Sequence, residues 1–278
     1  MSQLSLSFLG PFTVRLGNKS VTQFESDKVR ALLAYLAVEA GMPHRRSALA
    51  GLLWPDHPES AARASLRNAL ANLRQVICDQ KTEPPYLIID SETIQFNPSS
   101  DHWLDVGAFE ELSILGDQPS STDFPQSKIT NLKSAISIYR GSFLQGFSLK
   151  DSPAFEEWSL LVREDLHRKV VLALSSLTQE FELRDDFDQA SAYAFRLVAL
   201  EPWHEEHCRH LMRLLALNGQ RAAALAQYEA CRRSLEDELG VQPDAETVQL
   251  YEHIRDGELK KHPSRSCLSI TCPSCSLR

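Results

Sequence analysis

No stretch of the 278-residue chain approaches the roughly 18 uninterrupted apolar residues that a membrane span needs, because charges break every helix-like run. The opening Met1-Ser2-Gln3-Leu4-Ser5 has no basic segment, long apolar core or small-residue cleavage site, so no secretory signal is visible. The expectation is a cytoplasmic protein with no membrane partner. Enzymatic signatures are missing too. There is no glycine-rich phosphate loop, no Gly-x-Ser-x-Gly and no His-Glu-x-x-His, so neither an enzyme nor a cofactor is expected. Cysteine occurs six times, but not as a disulfide framework. Cys78, Cys208 and Cys231 fall in apolar-periodic segments, where a free cysteine is a small buried hydrophobe. Cys267, Cys272 and Cys275 crowd into a short tail.

What is present is an ordinary globular composition, 43% hydrophobic and 24% charged, which excludes collagenous, mucin-like or wholly disordered chains. The net charge of −8 is unevenly spread. Residues 1–100 carry ten Lys and Arg against nine Asp and Glu, whereas the remainder carries nineteen against twenty-eight. Between 45 and 76 the arginines are Arg45, Arg46, Arg63, Arg67 and Arg74, against Asp56 and Glu59 alone. A locally basic piece joined to an acidic piece is the pattern of an anion-binding module on a solvated helical body.

Leu4-Ser5-Leu6-Ser7-Phe8 and Phe12-Thr13-Val14-Arg15-Leu16 alternate as strands do, with turn signals at Gly10-Pro11 and Gly17-Asn18. After Ser26, a candidate N-cap, Val29, Leu32, Leu33 and Leu36 form the stripe of an amphipathic helix that ends at Gly41-Met42-Pro43. A short helix over 47–54 follows, and a third begins near Pro58. On a helical wheel Ala62, Ala69, Leu70, Leu73 and Ile77 fall within about 60° of Leu66 as a buried stripe. Arg63, Arg67 and Arg74 flank it, and Ala64, Asn68, Ala71 and Gln75 lie opposite. No acid interrupts this helix between Ser60 and Cys78. Guanidinium groups bridge guanine or phosphate, amides read adenine, and alanine lets a helix sit close to thymine methyls. Tyr86–Ile89 and Thr93–Phe96, around Asp90-Ser91-Glu92, then predict a hairpin. Strands, three helices and a hairpin make a winged helix-turn-helix, with helix 58–78 entering the major groove.

Phe8-Leu9-Gly10-Pro11-Phe12, Ala31–Leu36, Leu52-Leu53-Trp54-Pro55 and Leu66–Arg74 together resemble the OmpR/PhoB-type DNA-binding domain of SARP-type (antibiotic regulatory protein) transcriptional activators. One departure is the acidic hairpin tip, whose carboxylates beside phosphates would be repelled. Such a wing either stays clear of the minor groove or touches protein.

From Ile129 to Ile254 the chain reads as helix after helix, behind a 113–127 segment whose Ser, Gly, Asp, Pro and Thr content reads as a loop. Leu183 aligns with Leu217, Ala190 with Ala224 and Ala194 with Tyr228, each 34 residues apart. That is the tetratricopeptide period, in which helix pairs stack because none can bury its apolar face alone. Tyr139–Leu144, Glu201–Glu206, Leu211–Leu214 and Glu238–Asp244 resemble the bacterial transcriptional activation domain (BTAD), which in SARP-type regulators directly follows the DNA-binding domain. The two resemblances cover roughly 4–255 in the family's order. They imply a DNA-binding activator that occupies direct repeats as a head-to-tail homodimer and contacts RNA polymerase holoenzyme.

The expected fold is therefore mainly α with a small β component: a winged helix-turn-helix over 1–100, a tetratricopeptide-like all-α domain over 101–256 and a disordered cysteine-containing tail over 257–278. Arg67 and Asn68, with Ala64 and Ala71, are expected at bases of double-stranded DNA, and Arg45, Arg46, Arg63 and Arg74 at phosphates. No metal is expected. His204-Glu205-Glu206-His207, with Cys208 and His210 nearby, is the best metal candidate of the helical half, but the repeat accounts for the same residues. His262, Cys267, Cys272 and Cys275 have a zinc-site composition in a tail without an apolar pattern. The alternative function is a tetratricopeptide-like interaction adaptor whose winged helix binds protein rather than DNA.

Overall fold

A computed structural model describes residues 3–117 and 125–259; the tail residues His262, Cys267, Cys272 and Cys275 lie outside the described residues. The chain divides into two compact units, one up to residue 173 and one from residue 174.

In the first unit, β1 (Leu4–Ser7), β2 (Thr13–Leu16) and β3 (Lys19–Ser20) form an antiparallel meander. Leu4 and Leu6 point inward on alternate positions, as the period of two demands. Helix α1 (Asp27–Val38) follows Ser26, whose extended backbone (φ −156°, ψ 165°) places it as the N-cap, although its hydroxyl makes no capping bond. The predicted stripe Val29, Leu32, Leu33 and Leu36 is buried. Next come β4 (His44–Arg45), α2 (Arg46–Leu53) and the long α3 (Glu59–Val76), which Pro58 precedes as N-cap. A 3-10 turn (Asp79–Lys81) leads to the hairpin β5 (Leu87–Ile89) and β6 (Thr93–Phe96), and β6 also pairs with β4. Finally β7 (His102–Leu104) lies parallel to β1, closing the first sheet in the order β3-β2-β1-β7.

The same unit continues into helices. Directly after β7, α4 (Asp105–Asp117) begins with a fully buried carboxylate. Asp105 accepts from the backbone N–H groups of Phe8 (2.8 Å) and Leu9 (2.9 Å), and Arg140 stands 3.5 Å away. Burial pushes this carboxyl upward in pKa, against the downward pull of those bonds. Residues 113–117 continue α4 rather than opening a loop. Buried Val106 and Phe109 anchor the helix, and the Ser113 hydroxyl donates to the Phe109 carbonyl one turn back, so its polar group does not break it. Helix α5 (Pro125–Ile138) follows, then the loop carrying Arg140–Phe147, then α6 (Pro153–Leu183).

That loop is the joint. Leu9 and Phe143 form a β-bridge, and the Leu144 N–H donates to the Phe8 carbonyl at 2.8 Å. Gly10, at φ +120°, adopts a conformation that a side chain would strain, with Gly141 packed against its Cα. Around it Phe8, Phe12, Phe143, Phe147, Phe155, Trp158 and Tyr35 form a continuous aromatic cluster with centroids 4.9–6.5 Å apart. Polar contacts reinforce it. Ser152 Oγ and Lys28 Nζ both donate to the Leu53 carbonyl at the end of α2, and Trp158 Nε1 donates to Glu39.

In the second unit, α7 (Phe187–Leu200), α8 (Glu205–Leu217), α9 (Arg221–Leu239) and α10 (Ala245–Asp256) follow the end of α6. The predicted 34-residue offset reappears in the element bounds: helices end at Leu183 and Leu217 and restart at Phe187 and Arg221. The aligned positions Ala190, Ala194, Ala224 and Tyr228 are all buried, as the crossing of stacked helix pairs requires. Tyr228 stacks on Tyr251 at 4.2 Å, beside Met212, Ala224 and Ile254. Gly240, at φ +68°, caps α9.

Candidate nucleic-acid interface

Helix α3 carries the site because its two faces differ so sharply. Leu66, Leu70 and Leu73 are buried, while Arg63, Ala64, Arg67, Asn68, Ala71 and Gln75 are all exposed. The predicted DNA-facing residues of α3, apart from the half-buried Arg74, are therefore exposed to solvent. Arg45, Arg46 and Ser47 from the β4–α2 corner and Ser91, Glu92 and Thr93 from the hairpin tip meet Arg63, Leu66 and Arg67 around a concavity of about 600 Å³. Four of the predicted arginines thus converge from two elements. Arg74 lies apart, with Ala71, Gln75, Cys78, Gln80 and Lys81 around a second concavity of about 410 Å³ near the other end of α3.

The five arginines are not equivalent. Among the described residues, the side chains of Arg45 and Arg67 have no hydrogen-bond or ion-pair partner, nor does that of Asn68. Arg63 pairs with Glu59 one turn earlier (2.6 Å), but both groups are more than half exposed, and such a pair contributes about 0.3–0.5 kcal/mol at most. Arg46 instead donates through Nε and Nη2 to the Asp90 carbonyl (3.1 and 2.8 Å), while its backbone N–H donates to the Glu92 carbonyl. Arg74 donates to Asp79, whose carboxylate is 1% exposed and also accepts the Leu87 N–H. Arg46 thus grips the hairpin tip, and Arg74, through Asp79, ties the end of α3 to β5. Sequence reasoning missed Asp79, since its five-residue spacing from Arg74 lies past the helix end and matches no helical period.

The acidic tip is folded onto itself. The Asp90 carboxylate accepts the Thr93 N–H (2.6 Å), the Thr93 hydroxyl (2.7 Å) and the Glu92 N–H (2.7 Å). The Thr93 bonds first, then that of Glu92, hold this carboxyl below the ordinary carboxylate range. Glu92 is the acid that remains on the rim of the arginine concavity. Among the described residues no helix is long and apolar enough to cross a membrane.

Comparison with known proteins bears on both units. The family described as the bacterial transcriptional activator domain matches residues 104–255. The chain is 26% identical to the transcriptional regulatory protein EmbR of Mycobacterium tuberculosis over 255 residues, which cover 91% of this chain and 63% of that protein. It is 29% identical to the transcriptional regulator RedD of Streptomyces coelicolor over 252 residues, 87% of this chain and 67% of that one. The regulatory protein AfsR of Streptomyces coelicolor is 28% identical over 242 residues, 82% of this chain and 22% of AfsR. A solved structure of Mycobacterium tuberculosis EmbR in complex with a low affinity phosphopeptide aligns over 92% of this chain and 66% of its own, with a TM-score of 0.68 and 24% identity, a likeness of fold. The chain thus spans less than two thirds of the length of EmbR.

Proposed function

The chain belongs to the bacterial transcriptional activator domain family, and on that premise we propose that it is a sequence-specific DNA-binding transcriptional activator whose α3 lies in the major groove. The observation that carries this reading is the pair of unpartnered guanidinium groups, Arg45 and Arg67, on the rim of one concavity beside an exposed, acid-free helix face. A guanidinium with all five donors free is available to a base edge or a phosphate without breaking any internal bond. Arg67 and Asn68 read bases, with Ala64 and Ala71 allowing close approach, while Arg45 and Arg63 bind phosphates. Arg46 and Arg74 hold the hairpin and offer their remaining N–H groups to the backbone. The names of the relatives, all regulatory proteins, support the same class of function. Head-to-tail occupation of direct repeats and contact with RNA polymerase complete the proposal, by analogy with the family.

The test is DNA binding by the full chain at two salt concentrations. Arg67→Ala is expected to cost about 1–3 kcal/mol on the cognate site and to relax the preference at one base pair. Arg45→Ala weakens all sequences alike and lowers the salt slope by about one. Retention that is equally weak on every sequence and vanishes at the higher salt would instead favour the adaptor reading, with the helical repeats as the functional surface.

A further inference from the structure

The turn between α7 and α8 brings together side chains that the repeat does not require. Glu201 is the C-cap of α7, His204 is the N-cap of α8, and His207 lies one turn further along. Backbone bonds fix all three: the Glu201 N–H donates to Leu197, the His204 N–H to Glu201 and the Cys208 N–H to His204. The two imidazole rings stack with centroids 4.0 Å apart and 17° between their planes. One donor atom from each of the three residues falls within 4.8 Å of the others.

The contact between His207 and Glu201 is the informative one. His207 Nδ1 is 3.2 Å from Glu201 Oε2, yet this atom is shielded from solvent and makes no aligned hydrogen bond. The pair attracts only when the ring is protonated, whereas a cation between the two atoms would engage both. A tetrahedral cation with ligands at about 2.0–2.1 Å holds neighbouring donor atoms about 3.3 Å apart, close to the 3.2 Å of this pair, with the His204 donor within 4.8 Å. His204 is exposed at the edge of this cluster.

We propose that Glu201, His204 and His207 form a binding site for a divalent cation of the zinc class, with one coordination position left to water. Two imidazoles and a carboxylate are a borderline-hard set that suits Zn²⁺ rather than Mg²⁺ or Ca²⁺. The other candidates in the sequence run are committed elsewhere. His210 bonds to Glu182 at 2.8 Å, Glu205 accepts the Asp244 N–H and the Thr247 hydroxyl, and Cys208 is buried beside Cys231. The cation staples the end of α7 to the start of α8, within the repeat unit.

The experiment uses the full chain carrying Cys267→Ser, Cys272→Ser and Cys275→Ser, so that tail thiols do not contribute. After chelator treatment, Zn²⁺ is titrated in competition with a chromogenic chelator. One ion per chain is expected, with His204→Ala and Glu201→Gln each weakening binding at least about tenfold. Zinc should also slow amide exchange across the α7–α8 turn in the parent and not in those variants. Because His204 is exposed, its replacement leaves the fold intact. No bound zinc at micromolar concentrations, or affinities within twofold of the parent in both variants, overturns the proposal.

Discussion

The two units are held together in opposite ways. In the first, the decisive contacts join residues about a hundred positions apart: Asp105 with Phe8 and Leu9, Ser152 with Leu53, Trp158 with Glu39. In the second, the core is made by neighbours less than one repeat apart, such as Tyr228 on Tyr251 and Ala224 beside Met212. A unit closed by distant contacts folds as a whole, because each contact depends on loops already ordered by the others. A stacked repeat, by contrast, sums nearest-neighbour interfaces. The first unit includes the whole candidate DNA interface together with α4, α5 and the start of α6. The candidate DNA interface therefore shares its unit with helices from the activation-domain match.

The sharpest way to break this contrast is at its aromatic joint. Phe143 is fully buried against Phe8 and Trp158, and Phe143→Ala is expected to cost about 3–5 kcal/mol. Met212→Ala, in the core of the second unit, costs about 2–5 kcal/mol. Hydrogen exchange distinguishes the consequences. With Phe143→Ala, α1–α3 and α4–α5 should lose protection together and DNA retention should fall with them. With Met212→Ala the loss should concentrate in α8–α10. Protection of α1–α3 that survives Phe143→Ala would show that the winged helix stands alone.

The same contrast explains what the sequence made legible. The stripes of α1 and α3, the hairpin and the 34-residue offset were readable because each is written at a fixed local period. Sheet closure by β7 was not, since nothing near His102–Leu104 names a partner strand near residue 4. Residues 113–117 read as a loop on composition, and burial of Phe109 outweighed it. In the candidate interface, the wheel placed Arg63, Arg67 and Arg74 on one flank without distinguishing them. That distinction depends on Asp79, which α3's own period does not reach. Glu201 escaped the histidine run for a similar reason, as it belongs to the preceding helix.

A milder perturbation acts on the joint's polar side. Asp105→Asn leaves one oxygen, in the place of Oδ2, to accept from both Phe8 and Leu9, replaces the second acceptor of the Phe8 N–H with an amide, and loses the pairing with Arg140. The expected cost is about 1–3 kcal/mol, toward the low end because a neutral side chain is easier to bury than the carboxylate, whose pKa burial already raises. The denaturation midpoint should fall with an unchanged slope. A changed slope would mean that the first unit no longer unfolds as one.

The smallest effects separate arginines that support the interface from arginines that constitute it. Arg74→Ala strips the buried Asp79 carboxylate of its cation and leaves the Leu87 N–H as a remaining donor, an expected cost of about 1–3 kcal/mol in stability. Arg63→Ala gives up only an exposed pair with Glu59 and should lie within about 0.5 kcal/mol of the parent. On DNA the order reverses in kind: the Arg63 variant loses affinity while remaining as stable as the parent, whereas the Arg74 variant loses affinity because the hairpin is no longer tied to α3. Thermal midpoints measured beside salt-dependent binding read both quantities on the same samples. If Arg74→Ala leaves stability unchanged and lowers only the salt slope, Arg74 is a phosphate ligand of the same kind as Arg45, and its bond to Asp79 is incidental to the wing's position.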